Sequence, residues 1–301
     1  MEKYIGIVAH DAGGANILAS YCRRKPDNYR YLLQGPAKAI FNKTLLIESE
    51  DNTERFVSEC HSFIGGTSGK SDFERSIFAQ ARILNKETTA ILDHWVNYRE
   101  RFLLNGKLVL PNNLITVDRY AYQIAKETFP ESKLEEINNP YLEDFYNHYK
   151  ELTLQKESSD KSEILYISEG FTEHKGEDEN GSSKDLKYFK EFLHVRQQLF
   201  EPNLTLRIRL HPSEDLAKFN QYVEIYSDIS QSDSSIDFAI DLSRANCVVG
   251  VSSMALVLAA SCGIPTFSLL SSSKESKIPT PGINYIGALS DFKQRDYWLT
   301  L

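Results

Sequence analysis

Short unbroken apolar runs, each followed by a polar or glycine-bearing turn, recur along the first half of the chain. Tyr4–Ala9 (YIGIVA) is the clearest, and residues 31–33, 44–47, 62–64, 89–92 and 114–117 repeat the type. Between them, residues 15–23, 73–84 and 120–128 carry apolar side chains at helical spacing. Strands buried on both faces read as continuous apolar runs and need helical crossovers, so the pattern predicts a parallel sheet covered by helices. A polar stretch at 151–162 (ELTLQKESSDKS) reads as a linker or the tail of a helix. The same grammar then restarts, with strands expected at 163–167, 204–210, 247–251 and 266–270 and helices at 184–200, 235–244 and 254–262. The expected fold is α/β, with two Rossmann-like doubly wound domains, residues 1–155 and 156–301, facing a central cleft. In such sheets ligands collect at the carboxyl ends of the strands.

With 301 residues, 41% hydrophobic and 25% charged, the chain has the balance of a soluble globular protein and the length for two domains. A formal charge of −8 provides no global basic field for nucleic acid or an anionic membrane. Cys22, Cys60, Cys247 and Cys262 have neither paired nor metal-ligand spacing and read as buried thiols of a reducing compartment. The N-terminus turns acidic too early for a signal peptide, so the expected location is cytoplasmic. Residues 245–273 carry no charge and are long enough for a membrane helix. A serine pair and Gly263-Ile264-Pro265 interrupt them, however, and a strand, a helix and a second strand fit better.

Candidate chemistry sits in the loops after strands. His10-Asp11-Ala12-Gly13-Gly14-Ala15-Asn16 follows the first strand, and its glycines permit positive φ or close backbone approach. The loop presents His10 and Asp11, with Asp11 readable as a helix cap, as a catalytic base, or as both. Leu92-Asp93-His94-Trp95 repeats the placement, with Asn97, Tyr98, Arg99 and Arg101 behind it. Aromatics beside a carboxylate and guanidinium groups suit a sugar acceptor, whereas a helix start with a core tryptophan is the plain alternative. Asp11, Asp93 and His10 are thus the catalytic candidates, and Gly13, Gly14, Trp95 and Arg99 form the acceptor side. Asp118 is explained by an N-cap. The dinucleotide fingerprint G-x-G-x-x-G is absent here. Residues 64–71 (IGGTSGKS) match the phosphate-binding P-loop, Lys70 included, except at Ile64, where the motif has glycine. No strand with a magnesium-holding aspartate follows, so a glycine-rich rim loop is preferred to an NTPase.

In the second half, Ser168-Glu169-Gly170 ends one strand, and His211-Pro212 ends another that carries Arg207 and Arg209. Ser252-Ser253 opens the helix MALVLAASC. A helix N-terminus with free N–H groups is an anion site, and a neighbouring histidine adds a hydrogen bond or a proton. Together these predict a phosphate or nucleotide site made by Glu169, Gly170, Arg209, His211, Pro212, Ser252 and Ser253.

The ordered set Glu169-Gly170, His211-Pro212 and Ser252-Ser253 before A-x-x-x-G-I-P resembles bacterial GT-B glycosyltransferases over about residues 163–270. The groups it is most similar to are sialyltransferases, Kdo transferases of capsule and lipopolysaccharide synthesis, and CDP-glycerol glycerophosphotransferases. Sialyltransferases carry their acidic motif in the N-terminal lobe, whereas this Glu-Gly opens the second half, so Asp11 and Asp93 are assigned by position. The resemblance implies metal-independent binding of a nucleotide-sugar donor, a CMP-activated ulosonic acid such as Kdo or sialic acid being favoured. It implies transfer to a saccharide or lipid-linked saccharide of a surface polysaccharide, with peripheral association at the inner face of the membrane through that acceptor. No cofactor, metal, nucleic-acid partner or transmembrane segment is expected. A nucleotide-sugar epimerase or hydrolase of the same fold and a CDP-polyol phosphotransferase are the alternatives. A P-loop-like NTPase and a noncatalytic binding module stand behind them.

Overall fold

A computed structural model describes residues 3–69, 71–154, 162–169, 184–200, 203–211, 214–233, 235–278 and 281–287. The expectations placed on Lys70, Gly170, Pro212 and linker residues 155–161 lie outside the described residues. The chain divides into two units, Met1–Asp144 and Phe145–Leu301.

The first unit begins with β1 (Tyr4–Ala9), α1 (Ala12–Arg24), β2 (Tyr29–Leu33), α2 (Pro36–Leu45), α3 (Thr53–Glu59), β3 (Cys60–Gly65) and α4 (Phe73–Ile83). It continues with β4 (Glu87–Leu92), the hairpin strands β5 (Leu103–Leu104) and β6 (Lys107–Leu108), β7 (Asn113–Thr116), α5 (Arg119–Thr128) and β8 (Lys133–Glu136). α6 (Pro140–Thr153) spans the boundary between the units. Six strands form one all-parallel sheet in the order β2-β1-β3-β4-β7-β8. Side chains alternate between its two faces. Val8, Phe63, Ala90, Leu92 and Leu114 pack with α3, α4 and α5 through Phe56, Ile77, Phe78 and Ala125. Ile7, Ala9, Ile91 and Ile115 pack with α1 and α2 through Leu18, Ala37 and Phe41.

The strand expected at 44–47 is absent. Residues 44 and 45 close α2, which starts with proline in its first turn and buries Ala37 and Phe41 one helical turn apart. Leu46 then breaks the helix in a left-handed conformation, φ 56°, and lies 85% exposed. β8, with the sequence KLEE, is a charged edge strand with only Leu134 packed inward.

The second unit contains β9 (Glu163–Ile167), α7 (Lys184–Leu199), β10 (Thr205–Arg209), α8 (Asn220–Ile225) and β11 (Ile229–Gln231). It continues with α9 (Phe238–Arg244), β12 (Ala245–Gly250), α10 (Met254–Ser261), β13 (Thr266–Ser268) and β14 (Ile283–Tyr285). Its six strands are again all parallel, in the order β11-β10-β9-β12-β13-β14. Tyr166 is fully buried, edge-on to Phe189 at 4.9 Å and stacked on Phe192 at 5.8 Å, and Leu206 and Ile208 belong to the same core. The uncharged stretch folds as β12, α10 and β13. Among the described residues, no helix is long and apolar enough to cross a membrane.

Each sheet has one point where the chain, having built outward in one direction, starts building in the other. In the first sheet it falls between β1 and β3, in the second between β9 and β12. At such a point the helices that follow the two strands lie on opposite faces of the sheet, which opens a crevice at the strands' carboxyl ends.

Candidate active site

In the first unit the loops after β1, β3 and β4 meet at their carboxyl ends. Asp11 stands at the N-cap of α1 in extended conformation, yet its side chain makes no capping bond. Its Oδ2 instead accepts the N–H of Gly69 at 3.1 Å, and its Oδ1 lies 2.7 Å from His10 Nδ1. Burial alone would raise the Asp11 pKa, but the nearby Ser68 hydroxyl, His10 and the Gly69 N–H outweigh it and hold the carboxyl below the usual aspartate value. The His10 ring packs over Gly35, where φ is +52° and a Cβ would come within 2.9 Å of the imidazole.

Asp93 enters the same cluster from β4. Its Oδ1 accepts from Thr67 Oγ1 and from Arg101 Nη1, both at 3.0 Å, and Arg101 also donates to the Thr67 carbonyl at 2.6 Å. Asp11 and Asp93 therefore flank one loop, residues 66–69, rather than marking two places. The Asp11 side chain is 31% exposed and that of Asp93 only 7%. Asp11 is the accessible carboxylate and Asp93 the anchored one. Gly14 backs onto Gly66, where a Cβ on Gly14 would lie 3.2 Å from the Gly66 Cα, a tight contact.

Trp95 is buried, and its indole N–H donates to Asp118 Oδ2 at 2.8 Å while Asp118 Oδ1 caps α5 through the Ala121 N–H. Its ring is thus set in the packing, whereas Arg99 is exposed. Among the described residues of the glycine-rich loop, the Gly69 N–H already binds the Asp11 carboxylate, and that charge opposes an anion approaching the same N–H.

A residue that the sequence does not single out completes this cluster. Glu74, in the first turn of α4, is 3% exposed and accepts the His10 N–H at 2.8 Å through Oε1. Burial pushes its pKa up to about 7. The two residues stand 64 positions apart, and a glutamate in a first helical turn is ordinarily explained by the helix dipole.

In the second unit the ends of β9 and β12 meet at the switch point. Gly250 permits their close approach, since a Cβ there would lie 3.1 Å from the Ile167 carbonyl oxygen. The Glu169 carboxylate accepts the backbone N–H of Ser252. Ser253 Oγ caps α10 through the Ala255 N–H at 3.2 Å, and Ser252 Oγ accepts the Lys277 N–H at 3.1 Å. On the other side of β9 from β12, His211 is exposed at the end of β10, and its N–H donates to Glu214 Oε2 at 2.7 Å. Glu214 Oε1 accepts from Ser168 Oγ at 2.9 Å and pairs with Lys218. Glu214 thus ties the β9 and β10 ends together, a role foreshadowed only by its place three residues after His211.

Arg209, expected at this phosphate site, and its strand neighbour Arg207 are both paired with carboxylates. Arg207 donates to Glu163 Oε2 at 2.7 Å. Arg209 pairs with Asp241, a 1% exposed carboxylate that also accepts from Ser232 Oγ at 2.6 Å, and donates to the Ile236 carbonyl at 3.0 Å. Arg209 therefore neutralises a buried charge between β10 and α9, which would be costly to leave unpaired. Among the described residues, no group of three or more His, Cys, Asp and Glu side chains is arranged to hold a metal ion.

No protein-family model and no curated protein matches the chain. Among solved structures, the UDP-GlcNAc 2-epimerase of Neisseria meningitidis bound to UDP-GlcNAc is similar, with a TM-score of 0.65 at 10% identity over 97% of this chain and 91% of that one. The UDP-GlcNAc 2-epimerase of Methanocaldococcus jannaschii follows with a TM-score of 0.61 at 10% identity over 94% and 89%. The α/β-galactoside α-2,3-sialyltransferase of Photobacterium phosphoreum gives 0.53 at 11% identity over 95% and 99%. These are enzymes of the GT-B fold, and the chain shares with them that fold of two parallel-sheet α/β domains.

Proposed function

We propose that the protein is an enzyme acting on a nucleotide sugar, and specifically a metal-independent glycosyltransferase. The donor we favour is a CMP-activated ulosonic acid and the acceptor a saccharide. The observation that carries this reading is that each unit, taken by itself, holds suitable chemistry at its own switch point. In the first it is an accessible, ionised carboxylate at Asp11; in the second it is an exposed histidine at the end of β10, in the sheet whose β12 leads into the N-terminus of α10. Asp11 takes the proton of the acceptor hydroxyl as its oxygen attacks the anomeric carbon. His211 and the N–H groups that open α10 offset the charge on the departing nucleotide phosphate. For a phosphate to reach the Ser252 N–H, the Glu169 carboxylate must give it up.

A second reading, a nucleotide-sugar epimerase or hydrolase, draws on the fold likeness to the 2-epimerases and on the three carboxyls Asp11, Glu74 and Asp93 gathered at the carboxyl ends of the strands of the first sheet. Thermal shifts with CMP, CDP, UDP, GDP and ATP, each with and without magnesium, identify the nucleotide, because a ligand selective for the folded state raises its melting temperature. Turnover of CMP-sialic acid, CMP-Kdo and UDP-GlcNAc then separates the classes. A transferase consumes donor only when a saccharide acceptor is added, while an epimerase converts UDP-GlcNAc alone. Stabilisation by ATP with magnesium only, and by no other nucleotide, would overturn both.

A further inference from the structure

Glu74 is buried behind the loop that carries the half-buried His10 and Asp11, and only half of its carboxyl is hydrogen-bonded among the described residues. Oε1 accepts the His10 N–H at 2.8 Å; Oε2 is buried and has no hydrogen-bond partner among the described residues. An anion with a bare, desolvated oxygen is costly, while the acid form of the same group is not. The charged groups that face it from the β1–α1 loop are His10 and Asp11. On its own helix, Arg75 is paired with Asp72 and also donates to the Ser68 and Arg101 carbonyls, and beyond the loop Arg101 is paired with Asp93. Both guanidinium groups thus have other carboxylate partners. Burial raises Glu74 to about 7, whereas the bonds on Asp11 hold that carboxyl low. Neighbouring carboxyls driven apart in this way divide into one acid and one base.

We infer that Glu74 is a positioning residue for Asp11, clamping the loop through the His10 N–H and keeping the site at one negative charge instead of two. This rests on the reading of Asp11 as the base. Ionisation of Glu74 places a second anion behind the loop and strengthens its grip on the His10 N–H, so loop and base respond to a proton that never meets the substrate.

The chain has seven histidines, so selective ¹⁵N-histidine labelling of the full-length protein gives a spectrum in which His10 is assigned with a His10→Gln variant. In the parent, the His10 amide proton should move downfield with a midpoint of about 7, as its acceptor becomes a carboxylate. Glu74→Gln keeps an acceptor oxygen and should abolish that inflection. Glu74→Ala should speed exchange of the His10 amide at least tenfold; if that variant does not fold, Glu74→Gln decides alone. An inflection near 7 that survives in Glu74→Gln, or one missing from the parent, overturns the inference without touching the assignment of Asp11. Turnover that survives Asp11→Asn overturns that assignment without touching the spectrum.

Discussion

A methyl group on Gly13 would run into Oδ2 of Asp93, so the loop after β4 occupies the space that a side chain on α1 would fill. Gly13 is the second residue of that helix and partly open to solvent, a position where alanine ordinarily stabilises by about 0.5–1 kcal/mol. Here the sign should reverse. Gly13→Ala is expected to destabilise by about 1–3 kcal/mol in urea unfolding, the scale of an overpacked contact. In an Asp93→Ala background the same change should become neutral or favourable. A Gly13→Ala protein as stable as its parent would mean that Asp93 moves aside freely.

The two aspartates should separate by what they damage. Asp11→Asn should lower turnover by about 10²–10⁴-fold while leaving the melting temperature near that of the parent. Asp93→Asn strips Arg101 of its charge partner in a pair whose side chains are 7% and 10% exposed. Breaking such a pair costs about 3–5 kcal/mol, and the surviving bond to Thr67 places this variant at the low end. Turnover normalised to folded protein, alongside denaturation, distinguishes them. Loss of rate with no loss of stability in Asp93→Asn would transfer the chemistry to that residue.

Glu74 gives stability a pH dependence of known sign. Its pKa in the folded protein, about 7, lies above the ordinary 4.5, so folding favours the protonated form. That contribution is complete below pH 4.5 and is lost as pH rises through 7. The shift corresponds to about 3 kcal/mol. Relative to Glu74→Gln, the parent should therefore weaken between pH 4.5 and 8. A difference between the two that stays flat across this range contradicts the burial argument.

In the second unit, His211→Ala is expected to weaken nucleotide binding by about 1.5–3 kcal/mol in calorimetry, the scale of a hydrogen bond to a charged group. Ser253→Ala should cost about 1 kcal/mol of stability through the lost cap of α10 and change affinity less. Unaltered affinity in His211→Ala would remove the histidine from the donor site.

Runs such as YIGIVA and CVVGV announce their strands because both faces are buried, and the loops behind them can be found by position. Other features carry no such mark. TLLI at 44–47 has strand-like composition, but the buried pair Ala37 and Phe41 extends a helix into it. KLEE forms a strand because the edge of the sheet accepts charge on its open side. The site was legible in the same uneven way. Asp11, Asp93 and Ser253 stand beside strand ends in the sequence, whereas Glu74 and Glu214 act through folded contacts to His10, Ser168 and His211. Arg209 shows the converse, since nothing local reveals that Asp241 awaits it across the sheet.

The bond between Glu169 and Ser252 spans 83 residues of chain. Parallel pairing gives no hairpin to start from, and β10, β11 and their helices, which lie on the other side of β9, separate β9 from β12 along the chain. Closing so long a segment must precede the contacts that reward it, which slows folding. The seam of the second sheet is therefore expected to join late, and the loops at its carboxyl end to be absent from early intermediates. Nucleotide added during refolding should bind only to molecules that have passed this step, making it a timer for the closure of the sheet.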